Sequence, residues 1–376
     1  MSFANYKLGV VVATAVGLFS FFSYILYQIY PGVKLLLFVL TFTLGVLYIS
    51  KGLANKYLLT SIASICILVL IGAIIGYGQV SSNLSSVSFY VPIVLGVFIC
   101  RSFDSFFNVA KVFFIINLIA MLYEFYTFSF LFEPEVDLPH FVGRAKGLLA
   151  YSKEAANFVI LFSIVFVKKL GMKWYLPIIA FAFLTGSRLA ILICCAVIMF
   201  EIVYPMLFGV EKKTVVRNLS VFLLFVILII YYLSLEQSSL IVSRLYESFN
   251  TEHSSNSERI YFWVEHLNVY DQFAILQLIF GYPGASVKFV GNGAESAWIN
   301  LIVDGGMVAF SVYSFSMLMI FFMVTNKVRV LFMLLLLSTA MQIARVNLGF
   351  VDSTIYWGWF WSLLITSLAK VRNVEK

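Results

Sequence analysis

Apolar residues run through this chain in long blocks, separated by short polar interruptions. A helix crossing the hydrocarbon of a bilayer needs roughly 20 mainly apolar residues. Blocks of that kind, or close to it, lie at 8–29, 33–50, 57–77, 88–100, 112–131, 154–168, 173–184, 188–208, 216–234, 297–323, 328–344 and 350–369. The blocks 88–100 and 173–184 are short for a direct crossing, so tilt, re-entry or extension by neighbouring residues is expected there. No internal repeat and no low-complexity tract interrupts the series. The pattern predicts an all-α, polytopic integral membrane protein with about twelve transmembrane helices, a single membrane domain over 1–376. Two segments are long and polar enough to carry chemistry, 132–153 and the much larger 235–295. The centre of the second, Asn250 to Trp263, mixes polar residues with a short amphipathic stretch. A large external loop suits an enzyme acting on a membrane-bound substrate better than a simple permease.

Composition supports this class. The 376 residues are 62% hydrophobic and 11% charged, with a mean hydropathy of +0.99. Soluble domains carry about 25% charged residues, so a soluble enzyme of this length is excluded. Charge then sets orientation. With the N-terminus inside, most lysines and arginines fall on inner ends and loops, among them Lys51, Lys168, Lys169, Lys212, Lys213 and Arg372. The net charge of +7 is therefore a topology signal, and no nucleic-acid partner is needed to explain it. The N-terminal apolar run lacks a small-residue cleavage site and is expected to be a retained helix. Cys66, Cys100, Cys194 and Cys195 form no CxxC pair, and His140, His253 and His266 match no zinc spacing. Neither a disulfide framework nor a metal centre is expected.

Nine basic residues break the inside rule: Lys34, Arg144, Lys146, Lys153, Arg188, Arg244, Arg259, Lys288 and Arg345. Guanidinium forks match phosphate oxygens bidentately, so outer arginines point to an anionic ligand such as a lipid diphosphate. Each is also readable as a snorkelling or solvated charge. Arg188 follows Thr185-Gly186-Ser187, a break between two apolar runs whose free N–H groups are expected to face the same site. Interfacial anchoring is the alternative. Arg144 and Lys146 are bracketed by Gly143 and Gly147, which would let backbone approach a phosphate; lipid headgroups are the alternative partner. Glu295 is predicted at the outer N-terminal end of a span. There it is either a helix-dipole partner or a general base. Glu124, Asp304 and Asp352 are predicted in spans or near their outer ends, and Arg345 with Asp352 would make an ion pair. Intramembrane acids of this kind also fit a proton-coupled transporter or a lipid flippase.

Three stretches resemble the O-antigen polymerase and O-antigen ligase superfamily of bacterial envelope glycosyltransferases. The first is Arg144-Ala145-Lys146-Gly147 followed by Tyr151-Ser152-Lys153-Glu154-Ala155-Ala156-Asn157. The second is Leu184-Thr185-Gly186-Ser187-Arg188-Leu189-Ala190, similar to the family's Thr-x-Ser-Arg turn. The third runs from Arg259-Ile260-Tyr261-Phe262-Trp263 through Phe280-Gly281-Tyr282-Pro283-Gly284 to Glu295-Ser296-Ala297-Trp298-Ile299 and Gly306. The likeness spans roughly residues 140 to 310, and the ligases place histidine where Glu295 stands, which favours a polymerase.

The resemblance implies a GT-C-like transferase of the bacterial cytoplasmic (inner) membrane whose active site and large loop face the periplasm. It would need no metal and no cofactor. Its substrates would be undecaprenyl-diphosphate-linked oligosaccharides, joined into O-antigen or capsular polysaccharide with release of undecaprenyl diphosphate; a ligase moving the glycan to another acceptor is the close alternative. Membrane lipids and a polysaccharide chain-length regulator are the partners it implies. Arg144, Lys146, Arg188, Arg244, Arg259 and Arg345 would hold the diphosphate, with Arg188 also stabilising the leaving group. Glu295 would take or orient the proton of the attacking hydroxyl.

Overall fold

A computed structural model describes residues 103–132, 144–149, 151–207 and 254–343 apart from 283, 292, 293, 295 and 324–326, together with isolated positions between 11 and 25 and between 216 and 227. Every element among them is helical. In chain order these are α1 (Phe103–Thr127), α2 (Ser152–Leu170), a 3₁₀ turn (Met172–Trp174), α3 (Tyr175–Leu184), α4 (Arg188–Leu207), α5 (Ser254–Asp271), α6 (Ile275–Phe280), α7 (Ala285–Val290), α8 (Ala297–Met323) and α9 (Lys327–Ile343). The expected spans 33–50, 57–77, 88–100 and 350–369 lie outside the described residues, and 8–29 and 216–234 hold only scattered described positions.

The apolar blocks at 154–168, 188–208, 297–323 and 328–344 correspond to α2, α4, α8 and α9 within two residues at each end. Helix α1 instead begins at Phe103, ahead of the block at 112–131. Its first turns carry Asp104, Ser105, Asn108 and Lys111. Hydropathy marks where side chains suit lipid, whereas a helix continues as long as its backbone bonds do. The largest loop of the sequence reading holds three helices, α5 to α7.

Among the described residues one helix, over Phe107–Thr127, is both long and apolar enough to cross a membrane. Its buried face is largely apolar, with Phe113, Phe114, Ala120 and Met121, and its exposed face is largely apolar too. Asn117 and Glu124 lie on the buried side, while Val112, Ile116, Ile119, Tyr123 and Tyr126 are exposed. An aqueous helix hides its apolar stripe and wets its polar one.

The chain divides into two compact units, 114–257 and the remainder, 1–113 with 258–376. In the first, Phe114 of α1 stacks on Phe162 of α2 at 4.5 Å between ring centroids and meets Phe181 of α3 at 4.9 Å and Trp174 edge-on at 5.6 Å. Helices α2 and α4 are joined by small groups: the Cys194 thiol lies 3.6 Å from the Ser163 hydroxyl and 3.8 Å from the Val159 carbonyl. Small residues and shared hydrogen bonds allow such close approach.

In the second unit α8 is broken at Gly306, where φ is 69° and ψ −175°. The end of α6 fits into that break. The Tyr282 N–H donates to the Val303 carbonyl at 3.0 Å, and a β-carbon on Gly306 would collide with the Gly281 nitrogen and the Ile279 carbonyl. A β-carbon on Gly281 would in turn strike the Asp304 carbonyl. Two glycines are thus needed at one backbone crossing. Gly171 shares the positive φ, at 75°, but has open space around it.

This contrast separates strain from collision. Gly171→Ala should cost only the penalty of a backbone region open essentially to glycine, about 1–3 kcal/mol, whereas Gly281→Ala and Gly306→Ala should cost clearly more. Thermal unfolding of the three variants in detergent measures it. Equal losses at all three would mean that backbone conformation alone decides.

Candidate functional site

The segment 144–149 is irregular backbone, and its N–H groups need partners once buried. Helix α1 supplies them from one face. The Glu124 carboxylate accepts the Lys146 N–H at 2.9 Å and the Gly147 N–H at 2.8 Å through one oxygen, and the Leu131 N–H at 3.0 Å through the other. Two turns earlier, Asn117 accepts the Leu148 N–H at 2.6 Å. Gly147 has φ 60°, and a β-carbon there would sit 2.5 Å from the Asn117 side-chain oxygen. The glycine of the Arg-x-x-Gly stretch is therefore required by the clamp. Glu124, grouped by sequence with the intramembrane acids of a transporter, holds this loop through one carboxylate oxygen and the chain just past α1 through the other.

The loop is also tied to the break between α3 and α4, where the Ala145 N–H donates to the Leu184 carbonyl at 2.9 Å. This bond brings together two stretches that sequence reading could relate only by resemblance. Arg144 precedes the bonded residue on one side, and Thr185-Gly186-Ser187-Arg188 follows on the other. The turn closes on itself. The Thr185 hydroxyl donates to the Ala182 carbonyl at 2.7 Å and accepts the Ser187 N–H at 3.2 Å; the Ser187 hydroxyl, at the N-cap of α4, accepts the Ala190 N–H at 3.4 Å. The Gly186 N–H is taken by the Phe183 carbonyl. These N–H groups, expected to face a ligand, are used within the turn. Arg188 is the first residue of α4 and is half-buried.

The two bases of the loop part company. Arg144 is exposed. Lys146 is buried, with its ammonium 3.1 Å from the Leu149 carbonyl and 5.8 Å from the centre of the Phe130 ring. It closes its own loop with its charge buried. Arg244, Arg345, Asp352 and Glu295 lie outside the described residues.

In the other unit, Arg259, Trp263, His266 and Tyr270 share one face of α5 by their spacing. Trp263 and Tyr270 pack on a buried cluster of Ala285, Ala294, Ile299 and Val303. His266 is buried, its ring nitrogen against the Phe262 carbonyl. The Tyr270 hydroxyl donates to the Leu278 carbonyl at 2.9 Å; burial pushes this phenol above its ordinary pKa, and the charge of Asp271 adds to the shift. The neighbours of Glu295 are both anchored. Asn300 accepts the Ala294 N–H at 3.0 Å, and the Ser296 hydroxyl caps α8 through the Ile299 N–H at 3.4 Å while reaching Gln342 at 3.3 Å. Asp304 accepts both the N–H and the hydroxyl of Ser286 at 3.1 Å. Neither this pair nor the Asn117–Glu124 clamp was found from sequence, because their partners stand 18 to 31 positions apart.

No protein-family model matches the chain, and no curated protein matches it in sequence.

The clamp makes a direct prediction. Glu124→Gln keeps the size of the side chain but turns one acceptor into a donor facing N–H groups. The expected penalty is about 1–3 kcal/mol, or roughly five- to one-hundred-fold faster amide exchange at Lys146 and Gly147. Hydrogen exchange in detergent or nanodiscs reads this, and unchanged protection at both amides would show the clamp to be dispensable.

Proposed function

We propose that this chain is a polytopic protein of the bacterial inner membrane that polymerises lipid-diphosphate-linked oligosaccharides at the outer, periplasmic side. The observation that carries the proposal is the Ala145–Leu184 hydrogen bond, which sets the Arg144 loop beside the Arg188 turn. Two guanidinium groups at one backbone junction suit a diphosphate, whose oxygens take bidentate donors and whose departure as an anion they stabilise. The ten residues of α3 rise about 15 Å, half the hydrocarbon thickness. That length supports a turn recessed within the bilayer, where little water competes for the anion. The exposed apolar face of α1 supports the membrane setting.

In this reading the glycan on one lipid diphosphate is attacked by a sugar hydroxyl of a second lipid-linked repeat unit. The C–O bond to the first diphosphate breaks, a glycosidic bond forms, and the hydroxyl proton passes to a base. Arg144 and Arg188 hold the departing diphosphate. Glu295 takes or orients the proton, and Arg244, Arg259 and Arg345 serve the same anionic substrate; these roles rest on the resemblance to the polymerases. Lys146 contributes positive potential from its buried position. Lipid diphosphate is itself a good leaving group, so neither nucleotide nor metal enters the scheme. Ligation of the glycan to a different acceptor would use the same groups.

A transporter or flippase for such lipids is the second reading. The broken helix at Gly306, beside Asp304 and Ser286, favours it, because interrupted helices line many transport sites.

Purified protein in liposomes, given lipid-linked repeat units, distinguishes these. A ladder of longer glycans is expected from the polymerase, and movement of intact substrate across the bilayer without a ladder from the transporter. Arg188→Lys keeps charge without the fork and should slow the ladder. Arg188→Ala should cost about 2–5 kcal/mol, roughly thirty- to several-thousand-fold. Glu295→Gln should cost about 10²–10⁴-fold in turnover while binding persists. Wild-type ladders from folded Arg188→Ala protein would remove Arg188 from the site. Wild-type turnover in Glu295→Gln would move the search for a base to His140, His253, His266 and Glu258.

A further inference from the structure

We infer that the hairpin formed by α6 and α7, residues 275–290, is embedded in the lipid of the outer leaflet, whereas its sequence context places it in an aqueous loop. The inference rests on the membrane reading above, and in particular on α8 as a crossing helix.

The hairpin is fixed to α8 well inside that helix. Gly281 and Gly306 meet backbone to backbone, and the Tyr282 N–H bonds the Val303 carbonyl. Gly306 lies nine residues beyond the first residue of α8, about 13 Å along the helix at 1.5 Å per residue. So α6 ends beside the interior of α8, away from its tip.

Among the described residues the side chains left uncovered on the hairpin are apolar, apart from Lys288. Ile275 is 73% exposed, and Leu276, Ile279 and Phe289 are exposed with it. Past the break, α8 exposes Met307, Phe315 and Leu318. The Ile279 carbonyl is among the atoms nearest to Gly306, so an exposed residue of α6 stands at the break in α8, where exposed Met307 follows. One solvent that suits both is the acyl region of the bilayer.

Around this surface stands a cluster suited to the headgroup level. The Lys288 ammonium bonds the Tyr282 hydroxyl and lies 4.8 Å from the Tyr282 ring centre and 5.3 Å from that of Phe289. Phe273 contacts both rings, at 6.1 and 6.5 Å, and Tyr270 at 5.7 Å. Aromatic rings with a snorkelling lysine are typical of the membrane–water boundary. Backbone at that depth must be satisfied by protein, and the α6–α8 crossing does this for Tyr282. The occupant of the exposed face is therefore phospholipid.

Spin labels test this on the full chain in vesicles of phosphatidylethanolamine and phosphatidylglycerol, with the four native cysteines changed to alanine. Labels are placed by Ile275→Cys, Ile279→Cys, Phe315→Cys as the reference on α8, and Glu258→Cys as the aqueous reference. At Ile275 and Ile279, oxygen should relax the label strongly and a water-soluble nickel chelate weakly, matching Phe315. Access by nickel at Ile275 and Ile279, with Phe315 still protected, overturns this inference and leaves the crossing helix standing. Access by nickel at all three overturns both. Shielding of Ile275 and Ile279 from both reagents means a protein covers the face, which also overturns the inference. A measurement without variants runs in parallel: a phospholipid with a photoreactive acyl chain should cross-link wild-type protein within 275–290. Cross-links on α8 but none in that segment would count against it.

Discussion

Every buried N–H must find an acceptor, and the irregular loop at 144–149 meets this demand through partners in other segments. Helical backbone meets it internally; irregular backbone cannot. Here one face of α1 does the work, with Glu124 and Asn117 taking three of the loop's N–H groups and the Leu184 carbonyl a fourth. An unpaired buried N–H costs about 1–3 kcal/mol, so four such bonds outweigh any single contact nearby. The position of Arg144, the burial of Lys146 and the approach to the Arg188 turn all follow from this anchoring.

The same demand explains the glycines. At 147 the loop must pass within contact of Asn117, and at 281 and 306 two backbones meet with no room for a β-carbon. Close passage of this kind sets backbone against backbone, where a β-carbon would otherwise intervene. Where side chains do pack, the rings around Phe114 join α1, α2 and α3. The Phe114 cluster therefore contributes shape and dispersion contacts, while the hydrogen bonds fix which surfaces meet.

Charge is distributed by the same logic. A lysine on the loop is folded against the Leu149 carbonyl and the Phe130 ring, where its donors are partly satisfied. The neighbouring arginine stays on the surface. An ammonium is compact enough to be enclosed by carbonyl and ring, while a planar fork with five donors is hard to satisfy inside and useful outside. Sequence reading treated Arg144 and Lys146 as one basic pair because alternation along an irregular loop cannot be read from residue types.

Much of the helical framework was legible in the order of residues. Long apolar blocks mark α2, α4, α8 and α9 nearly to their ends, since one segment of side chains must match one solvent. Thr185-Gly186-Ser187 marks a helix break because its residues favour turns and caps. The helices α5 to α7 were less legible: their mixed polarity reflects packing against α8, a partner met only after folding. Sequence alone determined the class of the elements, the breaks between them and the types of residue available for an anion. Tertiary structure decided that Glu124 is a clamp, that Lys146 faces inward, and that the Arg144 loop meets the Arg188 turn. The reason is physical: hydropathy and turn preference act along the chain, within a few residues, whereas the pairing of buried donors with acceptors is settled only when distant segments compete for the same partners.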